Sequence, residues 1–296
     1  MDAVELYQTM FLIRTFEESL HELFAQGKLF GTVHTCLGQE ADAVAVVGAM
    51  RKEDIVFSNH RGHGHYIAKT GDLQGLMAEI MGRRSGICGG RGGSQHLCNR
   101  EYNFYSNGIQ GGIVPNAVGM ALAEKIRGTA NIVTMFLGDG TLGEGVVYES
   151  FNVASLWSLP VLFIVENNHI AQTTPSVLAV AGSIVARPHA FGIESSELEV
   201  EDPECLVTQA EEALRFVRTN TQPFALVLHT RRLGPHSKGD DSRSPQEIAA
   251  HRKRDPLLHL RAKLNSKTVE RIERQCSSQI QEVIHVAENS PFPRDA

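Results

Sequence analysis

Two apolar runs joined by a helix-like stretch constrain the fold of this chain more than any other feature. The run at residues 131–137 ends in Gly138-Asp139-Gly140, and the run at 160–165 ends in Glu166-Asn167-Asn168. Continuous apolar runs of this length are typical of buried parallel strands. Residues 143–158 between them predict a crossover helix. The sequence therefore predicts an α/β fold in which both strands end at one edge of a parallel sheet.

The two turns bring oxygen-bearing side chains to that edge. Asp139 follows the first predicted strand, and Asn168 follows the second. Mg²⁺ prefers oxygen ligands at about 2.0–2.1 Å in an octahedron, commonly from carboxylates, amides, carbonyls, phosphates and water. Taken alone, Asp139 is also compatible with an ordinary turn after a strand. With the Asn pair at this spacing, we predict a metal-diphosphate site held by Asp139, Asn168 and one backbone carbonyl just beyond.

Composition and charge exclude several classes of protein. The hydrophobic content of 42% is ample for a core, and the formal net charge of −6 comes without a basic cluster. We therefore expect no nucleic acid and no membrane as partners. The first residues lack a secretion signal, and the five cysteines form no Cys-x-x-Cys. These features indicate reduced thiols and a cytoplasmic location.

The organisation predicted along the chain is one domain over residues 1–296. A helical lead-in occupies 1–30, where apolar residues recur at helical spacing up to a stop at Gly27. Residues 32–114 are rich in glycine and histidine, which favours loops. Further predictions are a helix at 203–219, a strand at 224–231, a polar loop at 234–243, and a helical tail at 244–296 with helices at 244–264 and 268–288.

These motifs match a known family in order. The Gly-Asp-Gly through Asn-Asn pattern is similar to the thiamine-diphosphate motif, and residues 5–293 resemble the α subunit of the E1 component of 2-oxoacid and acetoin dehydrogenases. The other matching stretches are residues 12–17, 38–41, His60-Arg61-Gly62-His63-Gly64-His65, 89–94, 108–115 and Gly234-Pro235-His236-Ser237. The resemblance implies a thiamine-diphosphate-binding fold, with a parallel sheet core flanked by helices and helical N- and C-terminal segments.

The resemblance also implies the cofactors and their ligands. It assigns Mg²⁺ to the side chains of Asp139 and Asn168 and to the backbone carbonyl of Ile170. It places Arg61 against the diphosphate of thiamine diphosphate, where a planar donor fork fits phosphate oxygens. Backbone N–H groups of the turn after the first strand would bind the same anion at a helix start. The full set expected to bind the cofactor is Arg61, Gly108, Gln110, Gly138, Asp139, Gly140, Thr141, Asn168, Ile170 and His236.

Two histidines are the expected catalytic residues. By resemblance, His236 lies on the loop that positions a lipoyl-bearing carrier and assists acyl transfer, and His63 lies near the reacting carbon. Imidazole can move protons or bind substrate oxygens near neutral pH. The alternative for each is a core or loop histidine with satisfied hydrogen bonds. The same alternative applies to His34, His60, His65, His169 and His189.

The resemblance further implies that the chain supplies half of an active site. In this family the glutamate that activates the aminopyrimidine comes from a separate β subunit, so neither Glu40 nor Glu144 is assigned that role. The backbone of Gly108 and Gln110 would hold the aminopyrimidine ring. We expect an α2β2 heterotetramer, a lipoyl-bearing or acyl-carrier partner, and a small-molecule substrate.

The chain departs from the family pattern near the expected cofactor site. Position 110 is commonly aliphatic and position 172 commonly packs near the cofactor, and both are glutamine here. His60 stands where pyruvate enzymes usually have tyrosine. Acetoin cleavage is therefore the first expectation for activity. The alternatives are oxidative decarboxylation of pyruvate or a branched 2-oxoacid, ketose-to-carrier transfer of a two-carbon unit, and a silent scaffold subunit.

Overall fold

A seven-stranded sheet with helices on both faces forms the centre of the molecule. The structure is a computed structural model that describes residues 1–29, 31–237, 239 and 241–294. The helices are α1 (Ala3–Ala25), α2 (Glu40–Gly48), α3 (His63–Thr70), α4 (Leu73–Ile80), α5 (Val114–Arg127), α6 (Gly145–Leu156), α7 (Ala186–His189), α8 (Pro203–Asn220), α9 (Pro245–Arg252), α10 (Pro256–Lys263) and α11 (Ser266–Asn289). The strands are β1 (Ile55–Ser58), β2 (Cys98–Asn99), β3 (Phe104–Ser106), β4 (Val133–Gly138), β5 (Val161–Asn167), β6 (Ile170–Ala171), β7 (Thr174–Pro175), β8 (Glu194–Glu199) and β9 (Phe224–His229).

The large sheet is almost entirely parallel. Its strand order is β2-β3-β1-β4-β5-β9-β8, and only the β2–β3 pair is antiparallel. Strands β4 and β5 are neighbours in parallel register, with Gly138 opposite Glu166 at their carboxyl ends. The predicted α/β class and parallel sheet are therefore confirmed. The turns after the two apolar runs do lie at one sheet edge.

The strands alternate their side chains between two hydrophobic cores, one on each face of the sheet. In β5, Leu162 and Ile164 join the core that contains α1, α2, α4, α8 and α11, while Phe163 and Val165 join the core that contains α5 and α6. Successive strand residues point to opposite faces, so a strand covered on both faces needs apolar residues at every position. This requirement explains the continuous apolar runs in the sequence.

The connections reverse direction between β1 and β4, which lie side by side. The chain leaves β1 toward β3 on one side, and it leaves β4 toward β5 on the other side. The loops after these two strands therefore diverge and leave a crevice at the carboxyl edge. Such a switch point is where open α/β sheets bind ligands.

Residues 32–114 contain more regular structure than the glycine and histidine content indicates. Helices α2, α3 and α4 and strand β1 lie in this segment. The expectation of loops is confirmed mainly at residues 82–97, which consist of turns. The histidine-rich stretch continues directly into α3 because Gly62 has helical backbone angles and His63 begins the helix.

The segment at 244–264 forms two helices instead of one. Helix α9 ends at Arg252 and α10 begins at Pro256. A proline is tolerated at the start of a helix but not in its interior, because it has no backbone N–H. The carboxylate of Asp255 caps the second helix by accepting from the N–H of Leu257 at 3.0 Å. Strand β8, which the sequence did not predict, forms the outer edge of the sheet beside β9.

One buried carboxylate organises the glycine-rich turns. Glu79 at the end of α4 is fully buried and accepts hydrogen bonds of 2.6–3.2 Å from the backbone N–H groups of Cys88, Gly90, Gly92 and Gly93. The loop thus wraps around an anion that belongs to the protein itself. No helix in the described ranges is long and apolar enough to cross a bilayer.

Candidate active site

A cavity of about 320 Å³ opens at the switch point between β1 and β4. This volume falls at the lower end of the range for small-molecule sites. The loops after β1, β4 and β5 supply most of its walls. The lining residues are His34, Gln39, Asn59, His60, Arg61, Gln95, Gly108, Gln110, Gly138, Asp139, Gly140, Thr141, Glu144, Glu166, Asn168, Ile170, Ala171, Gln172 and His236.

Asp139 supplies a buried carboxylate to one wall. Its Oδ1 accepts from the N–H of Gly140 at 2.9 Å, and its Oδ2 accepts from the hydroxyl of Ser176. Burial raises the pKa of this carboxyl above its ordinary value, although the hydrogen bonds from Ser176 and Gly140 oppose that shift. Within the described ranges Asp139 makes no ion pair with lysine or arginine. A bound cation would compensate the cost of burying its charge.

The turn after β5 completes the same wall. The side-chain oxygen of Asn168 accepts from the N–H of Ile170 at 3.2 Å, which folds the turn back on itself. A Cβ atom added to Gly140 would lie 2.6 Å from the Cβ of Ala171, so the β4 and β5 turns approach too closely for any other residue. The structure therefore brings Asp139, Asn168 and Ile170 to one cavity.

The loop after β1 brings a buried arginine to the cavity. Arg61 is only 4% exposed, and its guanidinium donates to the carbonyl oxygen of Thr35 at 2.7 Å and to that of His236 at 3.2 Å. Its Nη2 also lies 3.0 Å from Nδ1 of His236. The side chain of Asn59 accepts from the Arg61 backbone N–H at 2.8 Å. These contacts hold a positive charge at the cavity in a fixed orientation.

Buried acids support this loop from behind. Oε2 of Glu166 accepts from the amide of Asn59 at 2.7 Å, and Oε1 lies 3.4 Å from Nε2 of His65. Asp42 is also fully buried, and burial together with the neighbouring Glu166 carboxylate raises its pKa well above the ordinary value. Through Asn59, the carboxylate of Glu166 fixes the loop that bears Arg61.

Three imidazoles meet in the cavity. The ring centroids of His34 lie 4.8 Å from those of both His60 and His236, and the last two are 5.5 Å apart. Burial, and then the charge of Arg61, lowers the pKa of His60 well below its ordinary value. His60 is therefore a neutral imidazole at neutral pH.

Gln110 links two walls of the cavity. Its amide nitrogen lies 2.7 Å from Nδ1 of His60, and its amide oxygen accepts from the hydroxyl of Thr141 at 2.9 Å. Gly108 lies nearby, where a Cβ atom would come within 2.2 Å of Oε1 of Gln95. Gln172 also lines the cavity and is exposed, with a left-handed backbone φ of 57°.

The structure does not bring His63 to the cavity. Its ring is completely buried, with Nδ1 at 3.1–3.2 Å from the carboxylate of Glu17 and Nε2 at 3.2 Å from the carbonyl oxygen of Ser94. His63 begins α3 and points into the core behind the cavity, whereas Arg61 precedes the helix and faces the cavity. The catalytic role expected for His63 near a reacting carbon stays a prediction.

Several lining residues lay outside the set expected from the sequence. Asn59 and Glu166 had a usable signal, because each is a polar residue at the carboxyl end of a buried strand. Gln95 follows the glycine-rich turns directly. His34 and His60 are among the histidines for which the sequence leaves a core or loop role open, and the sequence assigns neither to the site. Nothing in the sequence spacing shows that His34, His60 and His236 converge.

The family relationship follows from a comparison with known proteins. Residues 8–295 match the family described as "Dehydrogenase E1 component". The chain belongs to the dehydrogenase E1 component family. The resemblance inferred from the motifs is thereby confirmed, and the chain is a subunit of a thiamine-diphosphate-dependent E1 enzyme of the dehydrogenase type.

Curated relatives of this E1 chain match it along nearly its full length. The α subunit of acetoin:2,6-dichlorophenolindophenol oxidoreductase from Bacillus subtilis is 37% identical over 303 residues, covering 99% of this chain and 91% of the relative. The pyruvate dehydrogenase E1 component α subunit of Rickettsia bellii is 36% identical, and the match covers 99% of this chain and 93% of the relative. The corresponding subunit of Rhizobium meliloti is 35% identical, and the match covers 99% of this chain and 87% of the relative.

Proposed function

We propose that this chain is the α subunit of an E1 enzyme that uses thiamine diphosphate and Mg²⁺ to cleave a C–C bond next to a carbonyl. The two-carbon unit would then pass to a lipoyl-bearing or other carrier. The observation that carries the proposal is the convergence of Asp139, Asn168, Ile170 and Arg61 on one cavity at the sheet's switch point. An acidic and a basic side chain line the same cavity, as a metal-diphosphate group requires.

The residues present fit Mg²⁺. The carboxylate of Asp139 is buried with a raised pKa, and no lysine or arginine of the described ranges pairs with it. Asn168 offers an amide oxygen and Ile170 a carbonyl oxygen from the next turn. Mg²⁺ is commonly bound by one or two such protein groups together with phosphate oxygens. We assign Mg²⁺ to these three residues.

The chain's own groups would orient the diphosphate. Gly140 and Thr141 lie at the start of a 3-10 turn that leads into α6, where backbone N–H groups favour anions. The N–H of Gly140 also donates to Oδ1 of Asp139 at 2.9 Å. Arg61 would neutralise charge on the diphosphate, and the backbone of Gly108 and Gln110 would hold the aminopyrimidine. When bound, thiamine diphosphate supplies a nucleophilic carbon and an electron sink for the carbanion left by C–C cleavage.

A β-type subunit would complete the site. The names of the relatives identify α subunits, and this chain exposes apolar side chains beside the cavity. Ile109 is 67% exposed next to Gln110, while Val177 and Leu178 are 84% and 77% exposed next to Ser176. Exposed apolar side chains next to a site favour a partner surface there. We propose an α2β2 assembly in which this surface meets the β subunit.

Acetoin is the first choice of substrate. The cavity is lined by glutamines and histidines, so it offers hydrogen bonds to a hydroxyl and a carbonyl group. A relative named for acetoin and relatives named for pyruvate have similar identity to this chain. Pyruvate or a branched 2-oxoacid is therefore the alternative, followed by ketose-to-carrier transfer of a two-carbon unit. The single domain over residues 1–296 and the cytoplasmic location stay predictions.

Calorimetric titration tests the proposal. Thiamine diphosphate with Mg²⁺ is titrated into this chain alone and into its complex with a co-expressed β-type subunit. We expect binding only, or much more tightly, in the complex, followed by activity in a screen of acetoin, 2-oxoacids and ketose phosphates. Absence of binding by the complex would contradict the catalytic proposal and favour a silent scaffold subunit.

A further inference from the structure

A chain of hydrogen bonds crosses the cavity from the loop after β1 to the turn after β4. Nδ1 of His60 lies 2.7 Å from the amide nitrogen of Gln110, and the amide oxygen accepts from Thr141 at 2.9 Å. The amide of Gln110 is thus held at both ends. Its role rests on the proposed function, because the same cavity is the one assigned to the cofactor.

The orientation of this amide determines the tautomer of His60. The amide nitrogen of Gln110 also lies 3.3 Å from the carbonyl oxygen of Gly108, which can only accept, so the NH₂ group faces His60 and the amide oxygen accepts from Thr141. An NH₂ group can only donate, and Nδ1 must therefore accept. A neutral imidazole carries one proton, which then resides on Nε2. Burial and the nearby Arg61 keep the ring neutral by lowering its pKa.

Nε2 of His60 is a buried atom without a hydrogen-bond partner in the part of the chain that the structure describes. Leaving a buried donor unsatisfied costs about 1–3 kcal/mol. Because His60 lines the cavity, an acceptor brought by a ligand would remove this cost. The unsatisfied N–H thus marks a position for a ligand atom.

The tautomers indicate which kind of ligand atom fits. Candidate ligand atoms of His34, His60 and His236 lie within 4.8 Å of one another, close enough to share a metal ion. A metal requires an unprotonated nitrogen from each ring. However, Nδ1 of His236 faces Nη2 of Arg61, which can only donate, so the His236 proton also lies on Nε2. The N–H group of His60 and the adjacent guanidinium of Arg61 favour an anionic oxygen over a second cation.

We propose that Gln110 is a positioning residue that fixes His60 as the Nε2-protonated tautomer, and that His60 donates a hydrogen bond to an anionic oxygen in the cavity. That oxygen has two possible sources. One is the diphosphate of the cofactor, and the other is the carbonyl oxygen of the substrate, which gains negative charge when its carbon is attacked. A preorganised donor facing a developing oxyanion contributes roughly 10²–10³-fold to the rate.

The tautomer can be measured directly. We would label this chain with ¹⁵N-histidine, assemble it with a β-type subunit, and record solid-state ¹⁵N spectra, with His60→Phe identifying the His60 signals. The wild-type complex should show His60 protonated on Nε2. Gln110→Glu keeps an acceptor for Thr141 but presents a carboxylate to His60, so a proton should appear on Nδ1.

A second variant of Gln110 and a matched control complete this test. Gln110→Met removes the donor without adding charge, and should give a mixture of both tautomers. Gln281→Glu makes the same substitution at an exposed position of α11 and should leave the His60 signals unchanged. A wild-type proton on Nδ1, or His60 signals unaffected by both Gln110 variants, would overturn the proposal.

Cofactor affinity and kcat of His60→Phe distinguish the two possible sources of the anionic oxygen that His60 contacts. If His60 contacts the diphosphate, thiamine diphosphate affinity should fall about tenfold or more while kcat at saturation is preserved. If it contacts the substrate, cofactor affinity should stay constant while kcat falls about 10²-fold. No change in either quantity, with an unchanged thermal midpoint, would refute the donor role. A wild-type complex that binds no cofactor contradicts the proposed function, whereas the spectra test the tautomer independently.

Discussion

His60 and His63 stand three residues apart in one motif, yet they belong to two different regions of the molecule. His60 lines the cavity, and its Nε2 has no hydrogen-bond partner in the described ranges. His63 lies behind the cavity in a group that we call the rear cluster, formed by Glu17, Cys36, His63 and Ser94. Both nitrogens of His63 face oxygen acceptors there.

The difference lies in how completely each region satisfies its own polar groups. Glu17 in the rear cluster contacts His63 and accepts from both the backbone N–H and the thiol of Cys36 at 3.0–3.1 Å. Ser94 joins the two regions, since its hydroxyl also accepts from the N–H of His34. A region whose polar groups are hydrogen-bonded to one another stabilises the fold, whereas a region with unsatisfied buried polar atoms can bind a ligand through them.

The largest effect is expected from Glu17→Ala in the rear cluster. The substitution leaves His63 and the N–H of Cys36 without their acceptor in a fully buried site. Breaking a buried pair costs about 3–5 kcal/mol, which corresponds to a fall of roughly 10 °C in the thermal midpoint of the complex. Glu18→Ala is the matched control, because Glu18 is the exposed neighbour on α1. Equal midpoints for both variants would remove the distinction between the regions.

Asp139→Ala should have the opposite profile. We expect Mg²⁺-dependent binding of thiamine diphosphate to weaken by at least about 100-fold in calorimetry of the complex, because the charged metal ligand is lost. The thermal midpoint without cofactor should not fall, since burial already disfavours this carboxylate. The exposed Glu149 on α6 provides the control variant Glu149→Ala. Unchanged cofactor affinity in Asp139→Ala would rule out the metal assignment.

His236→Ala should slow transfer of the two-carbon unit to the carrier by about 10–100-fold. Cofactor binding should be retained, because Arg61 still donates to the carbonyl oxygens of Thr35 and residue 236. Single-turnover kinetics with a lipoyl-bearing carrier separate the transfer step from binding. Loss of cofactor affinity without any slower transfer would assign His236 to the cofactor instead.

The smallest expected effect is on the pH dependence of folding stability, which should have opposite signs for Glu17 in the rear cluster and Asp139 in the cavity. Burial alone would raise the pKa of Glu17, but the charge and hydrogen bond of His63 outweigh it and lower the pKa. The stability that Glu17 contributes is present above its unfolded pKa of about 4.3 and is lost as pH falls through the folded value. The pKa of Asp139 is instead raised in the folded state. Its contribution to stability is therefore present below its unfolded pKa of about 3.9 and is lost as pH rises through its folded pKa.

Thermal midpoints from pH 3 to 7 without metal would show this contrast. The thermal midpoint of Glu17→Gln should lie below that of the wild type by an amount that shrinks toward low pH. The thermal midpoint of Asp139→Asn should rise above that of the wild type toward neutral pH. The sign of each change with pH follows from the direction of the corresponding pKa shift. The same sign in both variants would contradict the assignment of the two carboxylates to different environments.

The sequence by itself determined the parts of the molecule that depend on local patterns. Apolar runs at 131–137 and 160–165 predicted β4 and β5 because strands covered on both faces must be apolar throughout. The parallel arrangement then required both turns to lie at one sheet edge. For this reason Asp139 and Asn168 could be placed together before the structure was known.

Only the tertiary structure decided which of the other polar residues enter the cavity. Gly62 has helical backbone angles and α3 begins at His63, so His60 faces the cavity while His63 turns into the core. The contact between His60 and Gln110 joins residues fifty positions apart. Such contacts have no period in the sequence, because they arise where loops from separate strands meet, and the packing around those loops fixes the direction of each side chain.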